Sequence, residues 1–537
     1  MEKRALLAVI LSTVVLLVWY RLFMPAPPNT TAPNKEIKTE QKEQISPAPA
    51  VMLPVVSQPK KETKEIKIKE VIVKTKNNQI ILTTRGAALV SWTLKEEQGS
   101  KGREEVDLVI NKEPQLATLP SAIYQADQEE LLLSESKKDG RVTFQYLSPE
   151  GLLILKTYIF SYEGQTFGLD IQVENRGKEL VQPELSLSWG PGVGIDKDVL
   201  ENSKKSMQAV FYKDKKFTKN PKPGDYEGQF SWIGVDNRYF LTALLPEKAQ
   251  SFLVSVEKRD NLPLVNLAGK ISLSPGQGEK MALKVYGGPK KYKELKALGR
   301  RLEDTCSFGM FSGLSIFMLD ILGFFYRLTL NYGWAIVLLT IVVQIPLFPL
   351  TAKSFKSMRA MQQLQPLMLE LRAKYKDDPR RLNVEMMNLY KKNKVNPFGG
   401  CLPMLLQLPV FWALFTALQN AFELRYAPFI FWIKDLSIAD GVGANMAFMF
   451  GGSGLPLVGN SLNILVIVMG VLMFLQQKMS STDPSQAKMV MFMPVLFTVM
   501  FWSFPSGLVI YWIVNSVVTI IGQYIIMKKP APPFVAT

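Results

Sequence analysis

Nineteen consecutive residues, Tyr332 to Leu350 (YGWAIVLLTIVVQIPLFPL), carry no charge and a single strongly polar side chain, Gln344. As a helix the run would rise about 28 Å, close to the roughly 30 Å hydrocarbon core of a bilayer. A helix satisfies its own backbone groups, so lipid is the natural solvent for it. Further runs follow at about Leu402 to Leu424, Leu455 to Leu475, Met489 to Phe504 and Leu508 to Met527. At the other end, Met1-Glu-Lys-Arg precedes the apolar stretch Ala5 to Tyr20, which continues to Met24 past Arg21. No Ala-x-Ala cleavage site follows it, so residues 1–24 read as an uncleaved anchor and the chain is expected to cross the membrane six times.

Loop charge orients these spans, because short cytosolic loops keep Lys and Arg. Lys3 and Arg4 put the N-terminus in the cytosol. Between Lys353 and Gly400 there are eleven basic and four acidic residues, which makes that loop cytosolic as well. The loop from Arg425 to Gly454 has two of each, whereas Lys478, Lys488 and Lys528-Lys529 fall on the cytosolic side. The six spans then alternate with both termini inside, and 528–537 forms a short cytosolic tail.

Residues 25–64, rich in Pro, Lys, Glu, Gln and Thr, read as a flexible linker with little to bury. From 65 to 300, β-branched alternating runs such as RVTFQYLSPEGLLILKTYIF are separated by turn residues such as Asn77-Asn78 and Ser274-Pro-Gly-Gln-Gly. This predicts an all-β domain with the size of a large sandwich, on the far side of the membrane from the cytosol. A short helix near Lys290 to Leu298 leaves it, and 301–331 reads as an amphipathic segment at the interface that need not span. The fold class is therefore an α+β multidomain membrane protein, with an anchor, a β-sandwich and five further spans across 332–527.

Within the cytosolic loop, 353–395, apolar residues at Met358, Met361, Leu364, Leu367, Leu371 and Tyr375, then Leu382, Met386 and Leu389, keep helical spacing. Lys376-Asp-Asp-Pro379 stops one helix and starts another. The reading is an antiparallel helical hairpin, kinked near Pro366. Its Met and Leu stripe holds the hairpin together, while Arg359, Arg372, Lys374, Arg380 and Arg381 offer a basic face to anionic lipid or a cytosolic partner.

The chain of 537 residues has no histidine and a net charge of +16. The first fact excludes Ser-His-Asp and Cys-His nucleophiles and His-ligated zinc. The second suits nucleic acid, an anionic bilayer or retained cytosolic loops. Cys306 and Cys401 read as small buried apolar side chains, with no metal site, cofactor or catalytic residue implied. Polar residues inside the spans are more telling, since lipid penalises them unless they face a bundle or water. Thr340 and Gln344 share a face; Tyr511, Asn515, Thr519 and Gln523 form a slowly spiralling stripe; Gln407, Gln419 and Asn420 add to them. They are either hydrogen-bond glue between helices or a wetted groove that accepts polar parts of a passing chain.

Asn396-Pro-Phe-Gly-Gly-Cys401-Leu-Pro403, Leu406-Gln407-Leu-Pro409-Val-Phe411, Glu423-Leu-Arg425-Tyr-Ala-Pro428, Gln477-Lys-Met479, Phe492-Met-Pro494 and Phe504-Pro-Ser-Gly507-Leu-Val-Ile-Tyr511 together resemble the YidC family of membrane protein insertases. Trp232, Arg238-Tyr-Phe240 and Tyr286-Gly-Gly-Pro-Lys290 resemble the periplasmic domain of its Gram-negative members. The resemblance implies a five-helix core in the inner membrane, a mutarotase-like periplasmic sandwich and no chemical reaction. It implies an insertase and chaperone whose groove, open to cytosol and lipid, receives nascent hydrophobic segments, alone or beside the Sec translocon. By position, Thr340 and Trp512 resemble groove contacts, and Leu408 and Phe411 the apolar slide for an incoming helix. The hairpin resembles the element that receives nascent membrane proteins and meets the ribosome, the signal recognition particle receptor or SecA; direct nucleic-acid binding is not implied. One position departs from the family, whose members commonly carry an arginine where Gln344 stands. A neutral amide there implies a weaker pull on acidic tails and more reliance on hydration and sliding. A solute or lipid transporter and a membrane-anchored sugar-modifying enzyme stay open as other readings, although no carboxylate lies deep in a span.

Overall fold

The structure is a computed structural model that describes residues 68–95, 105–194, 206–248, 251–393, 395–396, 402–441, 462–480 and 484–528. The expected anchor and linker, Cys401 and residues 529–537 lie outside the described residues.

Residues 70–289 form two packed sheets. One has five strands in the order Val106–Asp107, Ala88–Leu94, Asn78–Thr83, Glu70–Lys74, Glu130–Leu132, antiparallel except for the last, parallel pair. The second joins twelve strands, with Leu152–Ser161, Thr166–Asn175 and Gly278–Pro289 near its middle. Alternation drives this arrangement: in Leu169, Ile171 and Val173 every second side chain is buried, so one face of the strand points inward. The long strand Gly224–Asp236 bridges two parts of that sheet, its first half pairing with Ser251–Arg259 and its second with Phe240–Pro246.

Between the sheets Trp92 lies 5.0 Å from Phe167 and 6.2 Å from Trp189, ring centre to ring centre. Each such ring removes about 150–250 Å² from water, about 4–6 kcal/mol at roughly 25 cal/mol per Å². Gly287 makes room for this: a Cβ there would collide with the Trp92 ring. Lys156 is fully buried in the same layer, donating to the Leu116 carbonyl, and burial pushes its ammonium well below the usual lysine range.

Helix α1, Tyr292–Leu298, and the turn Leu302–Thr305 fold back on the outer face of the sandwich. Cys306 ends this return, buried beside Trp232, Tyr286 and Leu302, and burial pushes its thiol up to about 12. It is thus the small buried side chain its sequence suggests.

The rest is helical: α2, Ser312–Thr329; α3, Tyr332–Gln363; α4, Gln365–Lys374; α5, Pro379–Lys392; α6, Leu402–Asn420; α7, Ile464–Ser480; α8, Pro484–Met500; and α9, Ser506–Lys528. Helix α2, which the sequence suggested need not span, is part of an apolar segment, Gly309–Thr329, long enough by length and composition to cross a bilayer, as are α3 and α9. Helix α3 is much longer than its apolar run. Its 32 residues rise about 48 Å, so its last turns project beyond any 30 Å slab. Asn331 caps its first turn, accepting from the backbone N–H of Gly333 and Trp334 at 2.8 and 3.2 Å.

The break after α3 comes at Leu364, with Pro366 in the first turn of α4. Helix α5 begins at Pro379, capped by the Asp378 carboxylate on the Arg381 N–H. Helices α4 and α5 close on each other through Leu364, Met368 and Leu389, backed by Leu367, Leu371, Met386 and Tyr390. Met358, expected in that stripe, instead packs with Phe355 and Ile526 at the end of α9.

Candidate functional site

Helix α9 crosses the middle of the bundle, and its polar residues meet different neighbours in turn. A step of four residues advances about 400° around a helix, so an i+4 stripe drifts about 40° per step. Over the twelve residues from Tyr511 to Gln523 it turns through about 120°. Tyr511, buried, accepts from the Gln407 amide of α6; Asn515 accepts from the Gln344 amide of α3; Gln523 donates to Ser480 of α7 at 3.3 Å. Thr519 and Thr340 turn back on their own helices, donating to the carbonyls of Asn515 and Ile336 at 2.7 Å each.

The seven groove candidates therefore sort into three kinds: four paired across helix seams, Thr340 and Thr519 bonded to their own helices, and Trp512. Gln344 with Asn515 and Gln407 with Tyr511 are brought together across helix seams, and Gln344, Asn515 and Gln407 stay half-buried. Thr340 is fully buried and shares its helix face with Gln344 without bonding to it. Trp512 is the seventh, and its ring sits in an aromatic wall, 5.2 Å from Phe411, 5.1 Å from Phe501 and 6.2 Å from Phe497. Phe504 continues the wall, 4.5 Å from Phe501 and 5.5 Å from Phe415. Leu408, the other slide candidate, projects from α6 with 42% of its surface exposed. The wall was missed in the sequence: Phe497, Phe501 and Phe504 keep the i, i+4, i+7 spacing of a helix face, but Phe501 and Phe504 lie in the turn beyond the end of α8.

The loop 425–441 closes one end of the bundle. The backbone N–H of Ser506 and Gly507, at the start of α9, donates to the carbonyls of Ile438 and Leu436 at 2.7 and 3.0 Å. Asp440 accepts from the Leu465 N–H, in the first turn of α7, at 2.9 Å and from the Trp432 indole at 3.2 Å. These contacts supply the acceptors that free helix N-termini lack. The sequence showed only that the loop is poor in net charge.

On the hairpin, Lys374, Arg380 and Arg381 are exposed and Arg372 is half-buried. Lys374 Nζ and the Arg381 guanidinium lie 5.5 and 5.4 Å from the centre of the Tyr375 ring. Arg359 differs from the basic face expected of it. It points into the body, donating to the Ile526 carbonyl at 3.3 Å. Among the described residues no group of His, Cys, Asp and Glu could hold a metal ion.

Residues 324–532 match the 60Kd inner membrane protein family and residues 70–321 the YidC periplasmic domain family. The chain is similar to the membrane protein insertase YidC of Endomicrobium trichonymphae, 39% identical over 548 residues that cover 99% of both chains. It is 36% identical to that of Geotalea daltonii over 558 residues, 98% of this chain and 99% of the relative. A crystal structure of an active YidC insertase with its first transmembrane domain resolved covers 85% of this chain and 92% of its own, at 19% identity and a TM-score of 0.38.

Proposed function

Because this chain belongs to the YidC family of membrane protein insertases, we propose that it takes client segments at the seam between α3 and α9. It is a membrane protein insertase of the inner membrane with a periplasmic β-sandwich, and its work needs no covalent step. In our reading α3, α6, α7, α8 and α9 make the five-helix core, the anchor read at 1–24 adds a sixth span, and both termini lie in the cytosol with the hairpin of α4 and α5.

The observation that carries the proposal is the Gln344–Asn515 pair, two neutral amides bonded across a helix seam and only half-buried. A polar client tail can replace either amide as a partner with little net loss, because the exchange trades one hydrogen bond for another. Buried permanently against each other, the same groups would serve only as glue. Beyond the pair, exposed Leu408 and the Phe411–Trp512 wall offer apolar contact to the hydrophobic segment that follows the tail. A tail can thus shed water in steps, which avoids the several kcal/mol cost of placing a bare polar group in hydrocarbon. The hairpin's exposed Lys374, Arg380 and Arg381 suit anionic lipid headgroups and the delivery of nascent chains by the ribosome or the signal recognition particle receptor, and the Sec translocon is a fitting neighbour.

The test is insertion of a single-span client with a short acidic translocated tail into liposomes holding only the full-length chain, scored by protease protection. Protection above that of protein-free liposomes is expected. Gln344→Arg adds a charge at the seam, worth about 1 kcal/mol, so acidic tails should gain roughly fivefold in rate and neutral tails little. Protection no better than in protein-free liposomes, with the protein folded, rejects the autonomous role; equal rates for both tails reject the seam as the site of tail contact.

A further inference from the structure

The last turns of α3 lie between the bundle and the hairpin, and they do more than connect them. The last four carbonyls of any helix have no partner within it. Two such carbonyls, Met479 at the end of α7 and Ile526 at the end of α9, are taken by side chains one turn apart on α3. Gln362 Nε2 donates to the Met479 carbonyl at 3.1 Å, and the Arg359 guanidinium donates to that of Ile526 at 3.3 Å. The arginine also places positive charge at the negative end of the α9 dipole. Phe355 and Met358 on the same turns bury against the Ile526 side chain, each less than a tenth exposed. Gln523, one turn back on α9 and fully buried, donates to Ser480 of α7 and leaves its own Oε1 without a partner among the described residues.

Three helix ends are thus tied in one knot, its two side chains two and five residues before Leu364, where α3 gives way to the hairpin. Along α3, Gln362 and then Arg359 are the first of these ties met on moving back from the hairpin. Because α9 is a rigid element held at its amino end by the loop 425–441, letting go of its carboxyl end lets that end swing away from α3, and the Gln344–Asn515 seam lies about three turns back along α9 and about four along α3.

We propose that Arg359 and Gln362 form a latch: two positioning residues that hold the carboxyl ends of α9 and α7 and so set how far the α3–α9 seam opens when a client draws the hairpin aside. This rests on the insertase reading given above. Neither residue touches the client; they act through the helices they cap. Arg359 is thus a control on the seam, and its charge is not part of the face offered to lipid or partners.

The experiment places nitroxide labels at Lys356→Cys and Tyr524→Cys, both exposed positions, in the full-length chain with Cys306→Ser and Cys401→Ser, reconstituted in liposomes. The latched protein should give one narrow distance distribution. In Arg359→Leu/Gln362→Leu the mean should lengthen by several ångström and broaden, and client insertion should fall about fivefold, the loss of one to two net hydrogen bonds. Arg359→Lys keeps a donor at the carbonyl and should return both readouts to near the starting values. An unchanged distance distribution in the folded double variant overturns the latch. If that variant does not fold, Arg359→Met against Arg359→Lys makes the same comparison, and equal distances in the two overturn it. Absence of insertion by the unmutated chain would count against the insertase reading alone, since the distance arm still decides the latch.

Discussion

Gln344, Gln407, Asn515 and Tyr511 illustrate how polar residues survive in an apolar bundle: each side-chain amide or hydroxyl meets another from a different helix. Cys306 illustrates the opposite treatment, a titratable group kept neutral by burial against Trp232 and Tyr286. Its ordinary thiol value near 9.0 is raised to about 12. The unfolded chain loses this proton first, so the stability contributed by the neutral thiol is full below about pH 9 and declines as pH rises toward 12. In a Cys401→Ser chain, Cys306 should therefore resist maleimide at pH 8 while folded and react once denaturant is added. Rapid labelling of the folded chain would refute the buried placement.

At the scale of elements, the sequence reads Tyr332 to Leu350 as a membrane span and 353–395 as a separate helical hairpin, its first arm kinked near Pro366. The structure continues the helix to Gln363, since nothing in Thr351 to Gln363 breaks it until Leu364 and Pro366. The hairpin turn was legible for a local reason: Asp378 and Pro379 are a cap and a first-turn residue, whatever surrounds them. Its cohesion depends on few side chains. Leu389→Ala should weaken the α4–α5 contact by about 2 kcal/mol, at the low end for such truncations because the cluster is small and near solvent. Trypsin should then cut faster at Lys374, Lys376 and Arg380 with no loss of sandwich or bundle stability; an unaltered cutting rate would show that α4 and α5 do not depend on this contact.

For the whole molecule, the decisive feature is the junction of sandwich and bundle. The Arg238 guanidinium donates to the Gln419 carbonyl at 2.8 Å, in the last turn of α6, while Phe240 meets Phe422 edge to face at 5.7 Å. Arg425 stacks over Phe240 at 5.1 Å, and the buried Asp236–Lys290 pair, 2.6 Å apart, stiffens the sandwich side. The helix that carries Gln407, Leu408 and Phe411 is thus capped from the periplasmic domain. Arg238→Leu should cost about 1–3 kcal/mol at this end. Amide hydrogen exchange in 415–420 should rise while exchange at the sandwich centre, such as 169–173, stays slow. Equal protection at both places before and after would remove the sandwich from any part in holding α6.

The sequence by itself determined that Tyr332 to Leu350 and Leu508 to Met527 are apolar helices long enough to cross a bilayer, which segments alternate as strands, where the hairpin turns, and that His-dependent chemistry has no residues to run on. These follow from local composition and period, which depend on the covalent chain and its solvent alone. It also showed that Tyr511, Asn515, Thr519 and Gln523 share a drifting stripe. Only the tertiary structure decided that successive members meet α6, α3, their own backbone and α7, and that Arg359 turns inward to the end of α9. The phase of a side chain about its own axis is fixed by 3.6 residues per turn, whereas the neighbour found at that phase depends on how nine described helices and two sheets pack against one another.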